Sequence, residues 1–270
     1  MAFEDRFVDN DGVRIHYEVN DEAPDNAPPL VLVHGMGMST KDWHNAGYSD
    51  ALAGEFQLIL IDSRGFGQSD KLTEPADYGR VQKVSDVTAV LDDLGVDKTF
   101  YWGYSMGASI GWALGMLAPQ RFHALVLGSY PVIPLPIPEF DRARWEARAK
   151  VIRLGMDVYV TAMEMDAGPL SDYDRERLLA NDKDAYAAQQ LANLDWGAPD
   201  KDIVKVTLPT FVYAGTKDSR NHEPAKRCAS LAPNASFLSL PDHTHMQAFL
   251  AADTMIPHVR QFIAEVRETL

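Results

Sequence analysis

Cysteine is almost absent: Cys228 is the only one in 270 residues. An intramolecular disulfide is therefore excluded, and so is a multi-cysteine zinc or redox site. Long apolar runs are missing as well. The longest, such as residues 30–33 and 58–61, fall far short of the roughly 20 residues that span a bilayer. Positive charge is scarce, with 25 Lys and Arg against 39 Asp and Glu and a net charge of −14. That balance favours solubility and argues against nucleic acid or an anionic membrane as partner. It says little about a small neutral molecule. The start, Met1-Ala2-Phe3-Glu4-Asp5-Arg6, lacks the basic and apolar stretches of a secretory signal, so a cytoplasmic location is expected. Internal repeats and low-complexity segments are missing too.

What is present suits a large α/β unit. Apolar residues make up 46% of the chain and charged residues 24%, enough to bury a core without disulfide or metal. Residues 3–8 and 13–19 alternate apolar and polar around Asn10-Asp11-Gly12, which predicts a β-hairpin. Residues 30–33, 56–61, 99–102 and 124–127 are continuous apolar runs, as in strands covered on both faces of a parallel sheet. Helical spacing falls between them over 81–94, ending at Gly95, and over 108–117, ending before Pro119. The alternation predicts βαβ units in a doubly wound sheet. It stops from 131 to 208, where a Pro-rich lead-in (Pro131, Pro134, Pro136, Pro138) precedes helical stretches near 139–154, 156–165 and 171–194. It resumes with a strand at 210–214, a helix near 224–231, a strand at 236–240 and a last helix over 254–266. The expected organisation is a core of residues 1–130 and 205–270 interrupted by a helical cap, 131–204. Such an insertion would lie over the carboxyl ends of the strands, where open α/β sheets bind ligands.

The chemistry centres on Gly103-Tyr104-Ser105-Met106-Gly107, which follows an apolar strand and opens a helical pattern. In that setting Gly-x-Ser-x-Gly is a nucleophile elbow: a tight turn lifts the serine to a helix N-terminus, where developing negative charge is favoured. Serine needs a base to take its proton and an acid to orient that base. Such elbows take the partners in the chain order Ser, Asp or Glu, His. Asp218 lies just after the 210–214 strand, whereas Gly128-Ser129-Tyr130-Pro131, after the 124–127 strand, offers no carboxylate. Asp242 precedes the histidines too closely to support one. The base is His243 or His245, both in the loop after the last strand. His245 has the longer reach back to Ser105 and is preferred. For an oxyanion, the expected donors are the N–H groups of Met106 and of Met36, in the loop His34-Gly35-Met36-Gly37-Met38. His34 is expected to fix that loop rather than to catalyse.

Taken together, Val31-Leu32-Val33-His34-Gly35-Met36-Gly37, Ile61-Asp62-Ser63-Arg64-Gly65-Phe66-Gly67-Gln68-Ser69-Asp70 and the run from Gly103 to Gly107 resemble the α/β-hydrolase family. The resemblance covers roughly residues 3–130 and 205–270. It implies a mostly parallel sheet of about eight strands with a helical cap at the insertion, and a structural role for residues 62–70. It also favours His245, since the family's histidine follows the last strand by about five residues and precedes an apolar contact, here Phe249. The family often has Gly-Gly after Ser-x; here Gly107 is followed by the small Ala108. Haloalkane dehalogenases and epoxide hydrolases of this fold use an aspartate nucleophile, and Ser105 argues against both.

Trp145, Tyr159, Met163 and Trp196, with Met165, Tyr173 and Tyr186, give the insertion an aromatic and methionine-rich character. These residues are candidates for a substrate pocket, although packing of the cap core on the sheet is the preferred reading for most of them. No cluster of Arg or Lys faces the site in the sequence, so a highly anionic substrate is not expected. The expected activity is hydrolysis of a small, largely apolar ester or lactone through an acyl-enzyme, with a small-molecule partner and neither cofactor nor metal. Carbon–carbon bond hydrolysis of a diketone-type substrate and cofactor-free perhydrolysis are enzymatic alternatives. A non-catalytic ligand receptor of the same fold is the alternative from another class. The oligomeric state stays open.

Overall fold

The apolar runs become the inner strands of one sheet because helices cover both of its faces. The computed structural model describes residues 2–20, 23–132, 137, 139–198 and 200–270. Its eight strands are β1 (Phe3–Asn10), β2 (Val13–Asn20), β3 (Pro29–Val33), β4 (Gln57–Ile61), β5 (Thr99–Tyr104), β6 (Phe122–Gly128), β7 (Thr210–Gly215) and β8 (Ala235–Leu240). They lie in the order β1-β2-β4-β3-β5-β6-β7-β8. The β1–β2 and β2–β4 pairings are antiparallel and the others parallel. Asp11 and Gly12 close the β1–β2 hairpin with φ of 54° and 83°, the positive pair that a tight two-residue turn demands.

Helices α1 (Thr40–Asn45) and α2 (Tyr48–Leu52) join β3 to β4, and α3 (Arg80–Asp93) joins β4 to β5. Helix α4 (Met106–Leu117) joins β5 to β6. Among the described residues five α-helices then separate β6 from β7: α5 (Glu139–Leu154), α6 (Met156–Ala167), α7 (Asp172–Leu179), α8 (Lys183–Ala192) and α9 (Asp200–Ile203). Helix α10 (His222–Leu231) leads to β8, and α11 (His245–Phe249) and α12 (Ala252–Arg267) end the chain.

Strand alternation sorts the side chains between two cores. Leu30 and Leu32 of β3 pack with Leu58, Leu60, Trp102 and the apolar face of α12, while Val31 and Val33 pack on the other side with Ile59, Tyr101, Leu125 and α4. Each such buried side chain favours the fold by about 1.5–3 kcal/mol over an exposed one. From β3 the chain moves to β4 on one side, then crosses to β5 on the other. That reversal opens a crevice beyond the carboxyl ends of β3 and β5.

Two local differences from the sequence pattern have simple causes. The single helical stretch over 171–194 is broken because Asp182 caps α8, its carboxylate accepting from the N–H groups of Asp184 at 3.0 Å and Ala185 at 2.8 Å. Helices α1, α2 and α11 span five or six residues each, too few for a 3.6-residue period to register. The expected lead-in prolines Pro134, Pro136 and Pro138 lie outside the described residues. Among the described residues no helix is long and apolar enough to cross a membrane.

Candidate active site

Ser105 makes the turn between β5 and α4 alone, at φ 52° and ψ −113°. A positive φ strains a serine by about 1–3 kcal/mol, and here it lifts the hydroxyl clear of the sheet at the helix N-terminus. The flanking glycines are required by contact. A Cβ on Gly103 would lie 2.2 Å from the Gly107 carbonyl oxygen, and one on Gly107 would lie 2.0 Å from that of Val33.

His245 Nε2 lies 3.0 Å from Ser105 Oγ, and its Nδ1 lies 2.6 Å from Asp218 Oδ2. A carboxylate can only accept, so Nδ1 carries the proton and Nε2 is left to accept from the serine hydroxyl. Asp218 is only 6% exposed. Burial pushes its carboxyl up, but the His245 hydrogen bond and charge and the Asn221 amide outweigh it, so the group sits below the usual carboxylate range. Asn221 Nδ2 donates to both carboxylate oxygens, at 2.9 and 3.0 Å. The loop turns tightly behind it, with the Asn221 and His222 N–H groups donating to the Asp218 carbonyl at 3.1 and 2.9 Å.

His245 opens α11, whose start is fixed by a capping box in which Thr244 accepts from the Gln247 N–H and the Gln247 side chain accepts from that of Thr244 at 2.9 Å. The Tyr104 hydroxyl donates to the His245 carbonyl, and Phe249 packs on Tyr104 with ring centroids 5.0 Å apart. The other two histidines considered from the sequence, His243 and His34, bond elsewhere. His243 donates from Nδ1 to the Pro241 carbonyl at 2.6 Å. His34 donates from Nδ1 to the Gly35 carbonyl at 2.7 Å and accepts from the Ser63 N–H at 3.1 Å. Full burial holds it neutral by lowering its pKa.

The loop after β3 is tied to α4 by the Gly107 N–H, which donates to the His34 carbonyl at 3.1 Å. Met36 and Met106 both line the cavity beside Ser105. Among the described residues neither backbone N–H makes a hydrogen bond.

The cavity measures about 650 Å³ and is bounded by the core loops on one side and the insertion on the other. Trp145 and Trp196 line it. Tyr159 and Met163 do not: Tyr159 is buried against Tyr186 with ring centroids 5.7 Å apart, and Met163 packs against the core. The absence of clustered cations near the site is also corrected, because Arg144, Arg148 and Arg220 all line the cavity. Two of them were legible. Asp141, Arg144, Trp145 and Arg148 stand at i, i+3, i+4 and i+7, one face of α5. Arg220 and Asn221 follow the acid within three residues, and only the turn brings them back to the site.

Among the described residues one group elsewhere has metal-ligand spacing: Asp5, His16 and Glu18 have one ligand atom each within 4.8 Å of one another. Both ring nitrogens of His16 are already engaged, with Asp62 at 2.7 Å and Asp5 at 2.8 Å, and Glu18 accepts from Thr40 at 2.5 Å. These contacts anchor the 62–70 loop to β2.

The alpha/beta hydrolase fold profile matches residues 28–252. The chain belongs to the α/β-hydrolase fold family. It is similar to Epoxide hydrolase B of Mycobacterium tuberculosis, 36% identical over 146 residues, or 52% of this chain and 40% of that protein. The chain thus spans about two fifths of that relative's length. It is 24% identical to 3-oxoadipate enol-lactonase 1 of Acinetobacter baylyi over 217 residues, 77% of each chain. Among solved structures, the enol-lactonase from Burkholderia xenovorans superposes with a TM-score of 0.82 over 96% of this chain and all of its own, at 24% identity. That likeness shows the shared fold.

Proposed function

We propose that this α/β hydrolase is a serine hydrolase that cleaves a small carboxylic ester or lactone through an acyl-enzyme. The observation that carries this is the continuous path from Ser105 Oγ through His245 to Asp218, 3.0 and 2.6 Å long. His245 Nε2 takes the hydroxyl proton as Ser105 attacks the acyl carbon, and Asp218 stabilises the imidazolium that forms. The N–H groups of Met36 and Met106 receive the oxyanion; each such donor is worth about a hundredfold to a thousandfold in rate. His245 returns the proton to the departing oxygen. It then draws one from water, which attacks the acyl-enzyme and frees the acid and Ser105. Every step uses side chains, backbone groups and water.

In this reading residues 131–204 act as a cap, and the substrate is a small molecule reaching Ser105 between Trp145 and Trp196. The similarity to enol-lactonases supports a lactone. The similarity to an epoxide hydrolase meets a serine at the elbow, which suits acyl transfer rather than attack on an epoxide by aspartate. The test is labelling by a fluorophosphonate probe with the adduct mapped by mass spectrometry, followed by a screen of esters, lactones, diketones and epoxides. The expected adduct is on Ser105, with ester or lactone turnover lost in Ser105→Ala. A folded protein that resists the probe would instead support a receptor, and turnover of diketones alone would move the activity to carbon–carbon bonds.

A further inference from the structure

The net charge of −14 makes every unpaired cation conspicuous, and the nucleophile's cavity holds two. Its charged lining is Asp141, Arg144, Arg148, Asp218 and Arg220. Asp218 is committed to His245 and Asn221, and Asp141 pairs with Arg144 at 2.9 Å. Among the described residues no carboxylate comes within ion-pair distance of Arg148 or Arg220.

We propose that Arg148 and Arg220 form a carboxylate-binding subsite, so that the substrate is an ester or lactone that also carries a free carboxylate. The proposal rests on the hydrolase reading for its reaction but not for its binding. Arg148 is half-buried, and its guanidinium lies 5.7 Å from the centre of the Tyr159 ring, a ring itself buried on Tyr186. Stacking of this kind orients the planar fork without satisfying its donors. Arg220 sits in the turn that follows Asp218, so its backbone position is fixed by the same hydrogen bonds that hold the catalytic acid. One cation comes from the insertion and the other from the core. A carboxylate offers two oxygens in a plane, the geometry to which guanidinium groups donate in pairs. Its charge would replace the counter-ion that the acid-rich chain does not supply at this place. A substrate held so bridges insertion and core with its ester group beside Ser105.

Two measurements test this. In the first, kcat/KM is compared for mono-p-nitrophenyl glutarate and for p-nitrophenyl valerate, its neutral counterpart, in wild type, Arg148→Gln, Arg220→Gln and Lys150→Gln. The charged ester is expected to be preferred at least about tenfold, and each arginine variant to lower that preference about tenfold to a hundredfold. Lys150 is exposed on the same helix and outside the cavity lining, so its removal should keep the ratio and control for overall charge. In the second, glutarate binding to Ser105→Ala is followed by calorimetry, with and without Arg148→Gln. Binding that depends on Arg148 supports the subsite even if neither ester turns over, an outcome that would defeat only the hydrolase reading. Equal use of both esters, or glutarate binding absent or indifferent to Arg148, would overturn the subsite and leave the hydrolase reading intact.

Discussion

Replacing His245 by alanine removes the group 3.0 Å from Ser105 Oγ and 2.6 Å from Asp218, among the described residues the only side chain bonded to both. In the proposed mechanism base and nucleophile act as one unit, so His245→Ala and Ser105→Ala should each lower kcat by about 10⁴–10⁶. At about 1.4 kcal/mol per decade, that is about 5.5–8 kcal/mol of transition-state stabilisation. The double variant should lose no more than either single one, because the second substitution removes a partner already idle. His243→Ala should cost less than about threefold in turnover and about 1 kcal/mol of stability, the worth of its bond to the Pro241 carbonyl. Release of p-nitrophenolate from p-nitrophenyl acetate gives the rates, and far-UV circular dichroism with thermal midpoints checks folding. The reasoning fails if His243→Ala falls as far as His245→Ala, or if the losses from the two single variants add in the double.

Gly107→Ala forces a Cβ to 2.0 Å from the Val33 carbonyl oxygen; it should abolish soluble folded protein or lower stability by more than about 3 kcal/mol. Gly95→Ala, strained at φ 66° but with open space around it, should lose only about 1–2 kcal/mol by urea denaturation. Asn221→Ala withdraws a donor from both Asp218 oxygens and should cost about 1.5–3 kcal/mol at neutral pH. Asp218 is held below its ordinary value of 3.8, so its contribution is present above that pH and lost as pH falls through the folded value. The variant raises the folded value, and its acid unfolding, followed by fluorescence, should begin at higher pH than in the wild type. Asp86→Ala strands Arg64, now paired by two bonds of 2.6 and 2.7 Å in a buried site, and should cost about 3–5 kcal/mol in urea denaturation.

The parts legible in the sequence were those whose cause is local. The strand before Ser105, the glycines around it and the hairpin at Asp11-Gly12 each follow from a backbone demand that only certain residues meet. The expected chain order of nucleophile, acid and base pointed to Asp218, which lies 2.6 Å from His245. The choice between His243 and His245 was made on reach, but a sharper signal stood beside it: Thr244 and Gln247 form a capping box that makes His245 the first residue of a helix. What stayed hidden depends on distant packing. Tyr159 and Met163 carried the aromatic and thioether character of a pocket wall, yet the fold turns them into the core, and composition does not tell which way a side chain faces. Arg220 carried no signal in the sequence, because the cavity it lines is completed by residues of the distant insertion.

In the proposed mechanism the turn from Asp218 to Asn221 carries the acid, the amide that clamps it and an arginine that lines the cavity. On that proposal, recognition and proton transfer share four consecutive residues of backbone. Variation at Arg148, on a separate helix, leaves the acid's hydrogen bonds alone and can retune substrate choice in small steps. Variation at Arg220 risks moving the acid with it. New specificities are then expected to arise more readily through the insertion, while the core turn limits how far selectivity can drift before turnover is lost.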